Sequence, residues 1–216
     1  MIKLRKLGNT DLSVSEIGLG CWQLGGLTTI NDISITYGDV NEKTAQKIIS
    51  RALELGVNTF DTADSYSLGN SERRLGMALS ERRSEVHIFT KGAGVPTYNE
   101  LIPFDIDLSY HHLLAAIDRS LKRLGTEYVD VYQAHAAPKS ESDFANLEKA
   151  FSQIKADGKA LYCGVSIGSE YQKGIELIKR GIADSIQLYF SLLDFEPIME
   201  LLPIAKKNGV GITRSE

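Results

Sequence analysis

From residue 17 to the end of the chain, apolar runs of strand length alternate with stretches of helical period, and few folds accept that pattern. The first run, 17–22, ends in a glycine-bearing loop. Residues 42–55 then carry Ala45, Ile48, Ile49, Ala52 and Leu55 at helical spacing, with Gly56 as the stop. Strand-like runs at 57–60, 86–89, 128–132, 161–165 and 185–189 lead into helical stretches at 71–79, 109–124, 144–156, 170–179 and 197–206, and a last run covers 210–213. An opening hairpin is expected from 3–7 and 12–14 around the turn Gly8-Asn9-Thr10-Asp11. Strict alternation means right-handed βαβ units and a parallel sheet. The count is seven strands and six helices after the hairpin. A complete (β/α)8 barrel has one more strand and two more helices and runs to about 250 residues. The sequence therefore reads as one α/β domain over 1–216, a TIM barrel short of its last unit and a half, so that either it is a fragment or something else closes the gap. Open edges on the first and last strands would favour self-association.

An open doubly wound sheet competes with the barrel. It would place G-x-G-x-x-G in its first strand-to-helix turn, but Gly18-Leu19-Gly20-Cys21-Trp22-Gln23 has Gln in the third position. No Lys-Ser/Thr pair follows Gly20 to Gly26, as a phosphate-binding P-loop would need. Composition narrows function further. A net charge of -4 with interspersed signs gives no support for a nucleic-acid face, which would need clustered Lys/Arg. Residues 1–6 lack the apolar core of a signal peptide, and no run approaches membrane-spanning length, so the expected location is the cytoplasm. Cys21 and Cys163 fall in apolar segments and read as buried free thiols. The adjacent His111 and His112 point in different directions from a helix start, with no i, i+4 partner, so no metal site is expected. Asp105 and Asp107 before that helix read as caps, and the long connection 92–108 as a loop that shapes the substrate site.

Four polar residues, Asp61, Tyr66, Lys91 and His135, stand where apolar runs stop. In a parallel barrel the carboxyl ends of the strands converge on one mouth, so the four can meet there. An acid, a cation and an imidazole around a phenol make a proton donor suited to carbonyl chemistry. A free tyrosine titrates near pH 10 and is a poor acid at neutrality, unless a nearby cation favours its phenolate.

The segments Phe60-Asp61-Thr62-Ala63-Asp64-Ser65-Tyr66, Gly69-Asn70-Ser71-Glu72, Ile88-Phe89-Thr90-Lys91, Val129 to His135, Gly164-Val165-Ser166 and Ile186-Gln187, with the opening hairpin and Gly18 to Gly26, resemble the aldo-keto reductases over essentially the whole chain. The resemblance implies a barrel that binds NADP(H), NADPH preferred and NAD possible, without a Rossmann domain, and moves a hydride to or from a small carbonyl substrate: an aldehyde, ketone or sugar derivative. It implies Asp61, Tyr66, Lys91 and His135 as the catalytic tetrad. Tyr66 is then the proton donor, Lys91 its charged neighbour, Asp61 the partner of Lys91, and His135 the donor to the substrate oxygen. Ser166 and Gln187 match residues that bind the nicotinamide carboxamide, while Trp22 and Arg214 complete the expected cofactor and pocket-wall group. Ile167 departs from the usual Asn, and Arg214 stands where the family often has an aromatic ring. The residues that usually grip the adenosine phosphate lie beyond the seventh strand. These departures keep a second reading open, a catalytically weak nucleotide-binding or regulatory protein of the same fold. A metal-dependent barrel hydrolase or lyase lacks a convergent His/Asp ligand set.

Overall fold

In a computed structural model, residues 2–36, 38–97, 103–193 and 195–215 are described. Among them the chain forms thirteen strands and six α-helices. The opening hairpin is β1 (Leu4–Lys6) and β2 (Ser13–Ser15), and β3 (Leu19–Gly20) follows. A short ribbon, β4 (Thr29–Ile30) and β5 (Ile33–Ser34), precedes α1 (Glu42–Glu54). Then come β6 (Thr59–Asp61), α2 (Asn70–Leu79), β7 (His87–Gly92) and a second ribbon of β8 (Gly94–Pro96) and β9 (Phe104–Ile106). The alternation continues through α3 (Tyr110–Leu124), β10 (Val129–Ala134), α4 (Glu141–Ala156), β11 (Ala160–Gly168), α5 (Tyr171–Arg180), β12 (Ser185–Tyr189), α6 (Leu201–Asn208) and β13 (Gly211–Ser215).

Seven of these strands form one parallel sheet in the order β13-β12-β11-β10-β7-β6-β3, a TIM-barrel-like arrangement in which successive strands are neighbours. Alternate residues divide the two faces. Tyr132, Ala134, Val165, Ile167 and Ile186 join the core under the helices, with Phe144, Phe151 and Leu147 from α4. The helices carry the signals that their sequences promise. Asn41 caps α1 through Thr44 N at 2.9 Å, Ser140 and Asp143 form a capping box on α4, and α3 ends at Gly125 in the left-handed region.

On the inner face Phe89 and Val131 meet Leu7, Leu12 and Val14 of the hairpin. The hairpin is tied to both ends of the sheet. Asn58 Nδ2 donates to Ser13 O at 2.8 Å near β6, and Asn9 N donates to Gly209 O at 2.7 Å just before β13. The sheet is therefore curved, and the hairpin plugs its amino-terminal mouth. The other mouth, at the carboxyl ends of the strands, is where the polar residues gather.

Several elements differ from the sequence reading. The first strand shrinks from 17–22 to Leu19–Gly20, because Ile17 is 65% exposed and Trp22 already enters a 3-10 turn at Gln23–Gly25. The stretch 197–206 splits into a 3-10 turn, Glu196–Ile198, and α6; Pro203 fits the first turn of α6, where no N–H partner is required. Within 92–108, β8 and β9 form an antiparallel ribbon in place of an irregular loop, and residues 98–102 of that connection lie outside the described residues. Asp107 Oδ1 accepts from Ser109 N at 2.8 Å, but the helix cap itself is Ser109, and Asp105 lies in β9 opposite Val95. His111 is exposed, whereas His112 is partly covered and faces Asp107 at 3.6 Å. Cys21 and Cys163 are buried free thiols.

Candidate active site

Asp61 is the last residue of β6 and is in register with Phe89 of β7, so Lys91, two residues further along β7, lies on the same face just beyond it. Lys91 is fully buried, and its ammonium makes three bonds: to Asp61 Oδ2 at 2.5 Å, to Thr62 O at 3.0 Å and to the Tyr66 hydroxyl at 3.3 Å. A buried ammonium is costly unless paired in this way. Burial works against its charge, but Asp61 and then Tyr66 more than restore it, and the Lys91 pKa ends above the usual value. It is a cation at any physiological pH.

Tyr66 reaches this ammonium from an unusual turn. Residues 66–69 form a 3-10 segment in which Ser67 (φ 50°) and Leu68 (φ 52°) adopt left-handed backbone before Gly69. Side chains rarely accept that region, and each such residue costs about 1–3 kcal/mol unless its surroundings fix it. Here Ser67 Oγ donates to Gly26 O at 2.9 Å and Asn70 Nδ2 to Gly25 O at 2.5 Å. A Cβ at Gly25 would lie 2.1 Å from Ser67 Oγ, so glycine there is what lets the turn seat. The turn delivers Tyr66 between Trp22, stacked at 5.9 Å between ring centroids, and His135, edge-on at 5.7 Å. Trp22 is itself held by its indole N–H to Ile35 O at 2.8 Å.

The Tyr66 phenol corrects one expectation. Lys91 does lower its pKa, but burial raises it by more and Asp61 adds to the rise, so the net shift is upward. At neutral pH the phenol is therefore a protonated hydroxyl. His135 follows β10, with its backbone N–H on Gly92 O at 2.8 Å and Nδ1 3.4 Å from Ser65 Oγ. Burial and then Lys91 push its pKa down to about 3, so the imidazole is neutral and offers one N–H.

Ser166, Gln187 and Thr213 lie side by side on β11, β12 and β13. Ser166 Oγ donates to Gln187 Oε1 at 3.2 Å, and Gln187 Nε2 donates to Asp61 Oδ1 at 3.3 Å. Arg214 is exposed and pairs in register with Leu188, so the pleat sets it on the other side of β13 from Thr213. Ile167 points into the core against Gly174 of α5. Its position is one of packing, away from the Ser166–Gln187 pair. Their hydroxyl and amide, next to the buried and unpartnered Thr213 Oγ1, have the donors and acceptors that a primary carboxamide requires.

Two acids in this region were not singled out from the sequence. Glu72 is fully buried and held by Thr90 Oγ1 and Arg123 Nε, each at 2.6 Å. Asp64 has a buried Oδ1 with no partner, and burial, then Glu72, push its carboxyl up to about 7. The amide of Gln133, buried beside Asp61, was also missed.

A family model described as the aldo/keto reductase family matches residues 16–215. The chain belongs to the aldo/keto reductase family. It is 34% identical over 212 residues to an uncharacterized oxidoreductase of Bacillus subtilis, covering 98% of this chain and 63% of that protein. It is 31% identical over 215 residues to an NADH-specific methylglyoxal reductase of Escherichia coli, covering 94% and 64%. Among solved structures, the holo form of an aldo-keto reductase from Bacillus halodurans superposes with a TM-score of 0.83 at 32% identity, covering 99% of this chain and 66% of that one. This aldo/keto reductase sequence thus spans a little under two thirds of each of these three relatives. Among the described residues, no helix is long and apolar enough to cross a membrane.

Proposed function

We propose that the chain carries the catalytic residues of an oxidoreductase that reduces a carbonyl, in an aldehyde, ketone or sugar derivative, with a nicotinamide dinucleotide. The observation that supports this most is the Lys91 ammonium bonded at once to Asp61 and to the Tyr66 hydroxyl. The dinucleotide, when bound, supplies a hydride to the carbonyl carbon, and Ser166 and Gln187 are the residues that would hold its carboxamide. Negative charge then develops on the carbonyl oxygen and must be neutralised as it forms. Tyr66 gives that oxygen its proton. The phenolate left behind faces the ammonium, which pays back the energy that burial withholds from it. Asp61 keeps Lys91 charged and aimed, while neutral His135 donates its N–H to the same oxygen and Trp22 walls the pocket beside the phenol.

NADPH is the proposed cofactor, with NADH as the alternative, since a relative is named as NADH-specific. The test is oxidation of each nucleotide by a panel of aldehydes, ketones and sugar aldehydes, followed by absorbance. Substrate-dependent oxidation supports the reading. Nucleotide binding without consumption of any carbonyl favours the regulatory alternative, for which Ile167 in place of a hydrogen-bonding residue is the specific observation.

A further inference from the structure

We propose that Gln133 is a positioning residue, whose amide fixes one oxygen of Asp61 so that the other stays committed to Lys91. The kinetic part of this proposal rests on the reductase reading above. Val131 and Gln133 of β10 face inward, and His135, directly after the strand, continues the same side. Val131 packs on the hairpin at one end and His135 stands beside Tyr66 at the other. Gln133 lies between them, fully buried and in register with Lys91 on one side and Gly164 on the other.

A buried primary amide is unfavourable unless it is hydrogen-bonded, and an aliphatic residue like Val131 one layer below would fill such a place at less cost. The Gln133 amide has one partner: Nε2 donates to Asp61 Oδ1 at 3.4 Å, and Oε1 has none. The same Oδ1 accepts from Gln187 Nε2 at 3.3 Å, whereas Oδ2 is taken by Lys91. The two oxygens of one carboxylate therefore have separate tasks. Two amides, from β10 and β12, anchor the first, and the second meets the ammonium that touches Tyr66. Both amide bonds, at 3.4 and 3.3 Å, are long for N–H to oxygen contacts. Gln187 is also the residue proposed to hold a carboxamide. Gln133 is then the donor that stays on Asp61 when Gln187 turns to that group.

Two variants test this. Gln133→Leu removes the donor. Gln133→Glu is nearly isosteric and donates an O–H to Asp61 while protonated, but repels it once ionised. The rate of carbonyl reduction and the water exchange of the Lys91 ammonium protons, followed by nitrogen-15 NMR, are read from pH 5.5 to 8.5. With Gln133→Leu, kcat should fall on the order of tenfold to a hundredfold, the loss of one hydrogen bond to a charged group, with the KM for nucleotide unchanged. Ammonium exchange should quicken at least several-fold. Gln133→Glu should approach the wild-type rate at the acid end and lose it as pH rises, a rescue that simple space-filling does not give. Wild-type kcat and exchange in Gln133→Leu, or a Gln133→Glu profile parallel to wild type, overturns the proposal. If the wild-type chain reduces no carbonyl, the reductase reading fails, and the exchange comparison still decides the role of Gln133: faster supports it and unchanged refutes it.

Discussion

Replacing Asp64 by Asn and, separately, His135 by Asn should tilt the dependence of stability on pH in opposite directions. The Asp64 carboxyl moves from an ordinary 3.8 to about 7, driven by burial and Glu72 and opposed by Arg123 and Arg119. The folded state then binds this proton more tightly than the unfolded chain does, so stability is lost as pH rises from about 4 to about 7. His135 moves the other way, from 6.5 to about 3. Its contribution is complete above pH 6.5 and is lost as pH falls toward 3. At about 1.4 kcal/mol per pKa unit the two shifts have ceilings of roughly 4 and 5 kcal/mol. Both side chains are partly exposed, and screening reduces the expected amplitudes to about 2 kcal/mol each. In the wild type the two slopes overlap between about pH 4 and 6.5 and largely cancel. Asp64→Asn removes the falling limb, so that variant should gain stability from pH 4.5 to 6.5 and exceed the wild type above pH 7. His135→Asn removes the rising limb, so that variant should lose stability over the same range. For a chain of this size, about 2 kcal/mol is roughly 4–8 °C in Tm. Melting followed by circular dichroism at pH 4.5, 5.5, 6.5 and 7.5 measures it. Three parallel curves would refute the environments assigned to both residues.

Lys91→Met should cost about 3–5 kcal/mol, because it leaves Asp61 without its ammonium in a covered site, and should abolish carbonyl reduction; urea unfolding and the nucleotide assay measure the two effects. Gly76→Ala puts a Cβ 2.2 Å from the Leu124 carbonyl oxygen, where α2 crosses the end of α3. The helices must part, and a loss of about 1–3 kcal/mol is expected in the same unfolding experiment, although alanine is the better helix former. Among the described residues the outer strands β3 and β13 each have one sheet neighbour, and Ile17 and Leu55 are exposed beside β3. The 216-residue polypeptide should therefore associate with itself in sedimentation experiments, and a monomer with a cooperative melt contradicts this.

Asp61, Lys91 and His135 were legible because each is a polar residue closing an apolar run, and a parallel sheet gathers such ends at one mouth. Tyr66 was legible through its place in the Asp61-to-Tyr66 segment. The turn that presents it was not. Ser67 and Leu68 carry no glycine or asparagine signal, and the turn is held by bonds from Ser67 and Asn70 to Gly26 and Gly25, more than forty residues away. The direction of the Tyr66 shift was hidden for a related reason. The neighbouring cation is visible in sequence, but the burial that outweighs it is a property of the packed site. Gln133 could have been found, since it lies two residues before His135 and so on the same side of the strand. The ribbons β4–β5 and β8–β9 have strands of two or three residues, too short for alternation to register.

The account stands on Tyr66 passing its proton to the substrate oxygen under the influence of Lys91. Single-turnover oxidation of bound nucleotide by a reactive aldehyde, in the wild type and in Tyr66→Phe, tests that step directly. The expected result is a loss of about a hundredfold to ten-thousandfold in the hydride-transfer rate, with nucleotide affinity unchanged. Transfer in Tyr66→Phe at a rate close to wild type would contradict it.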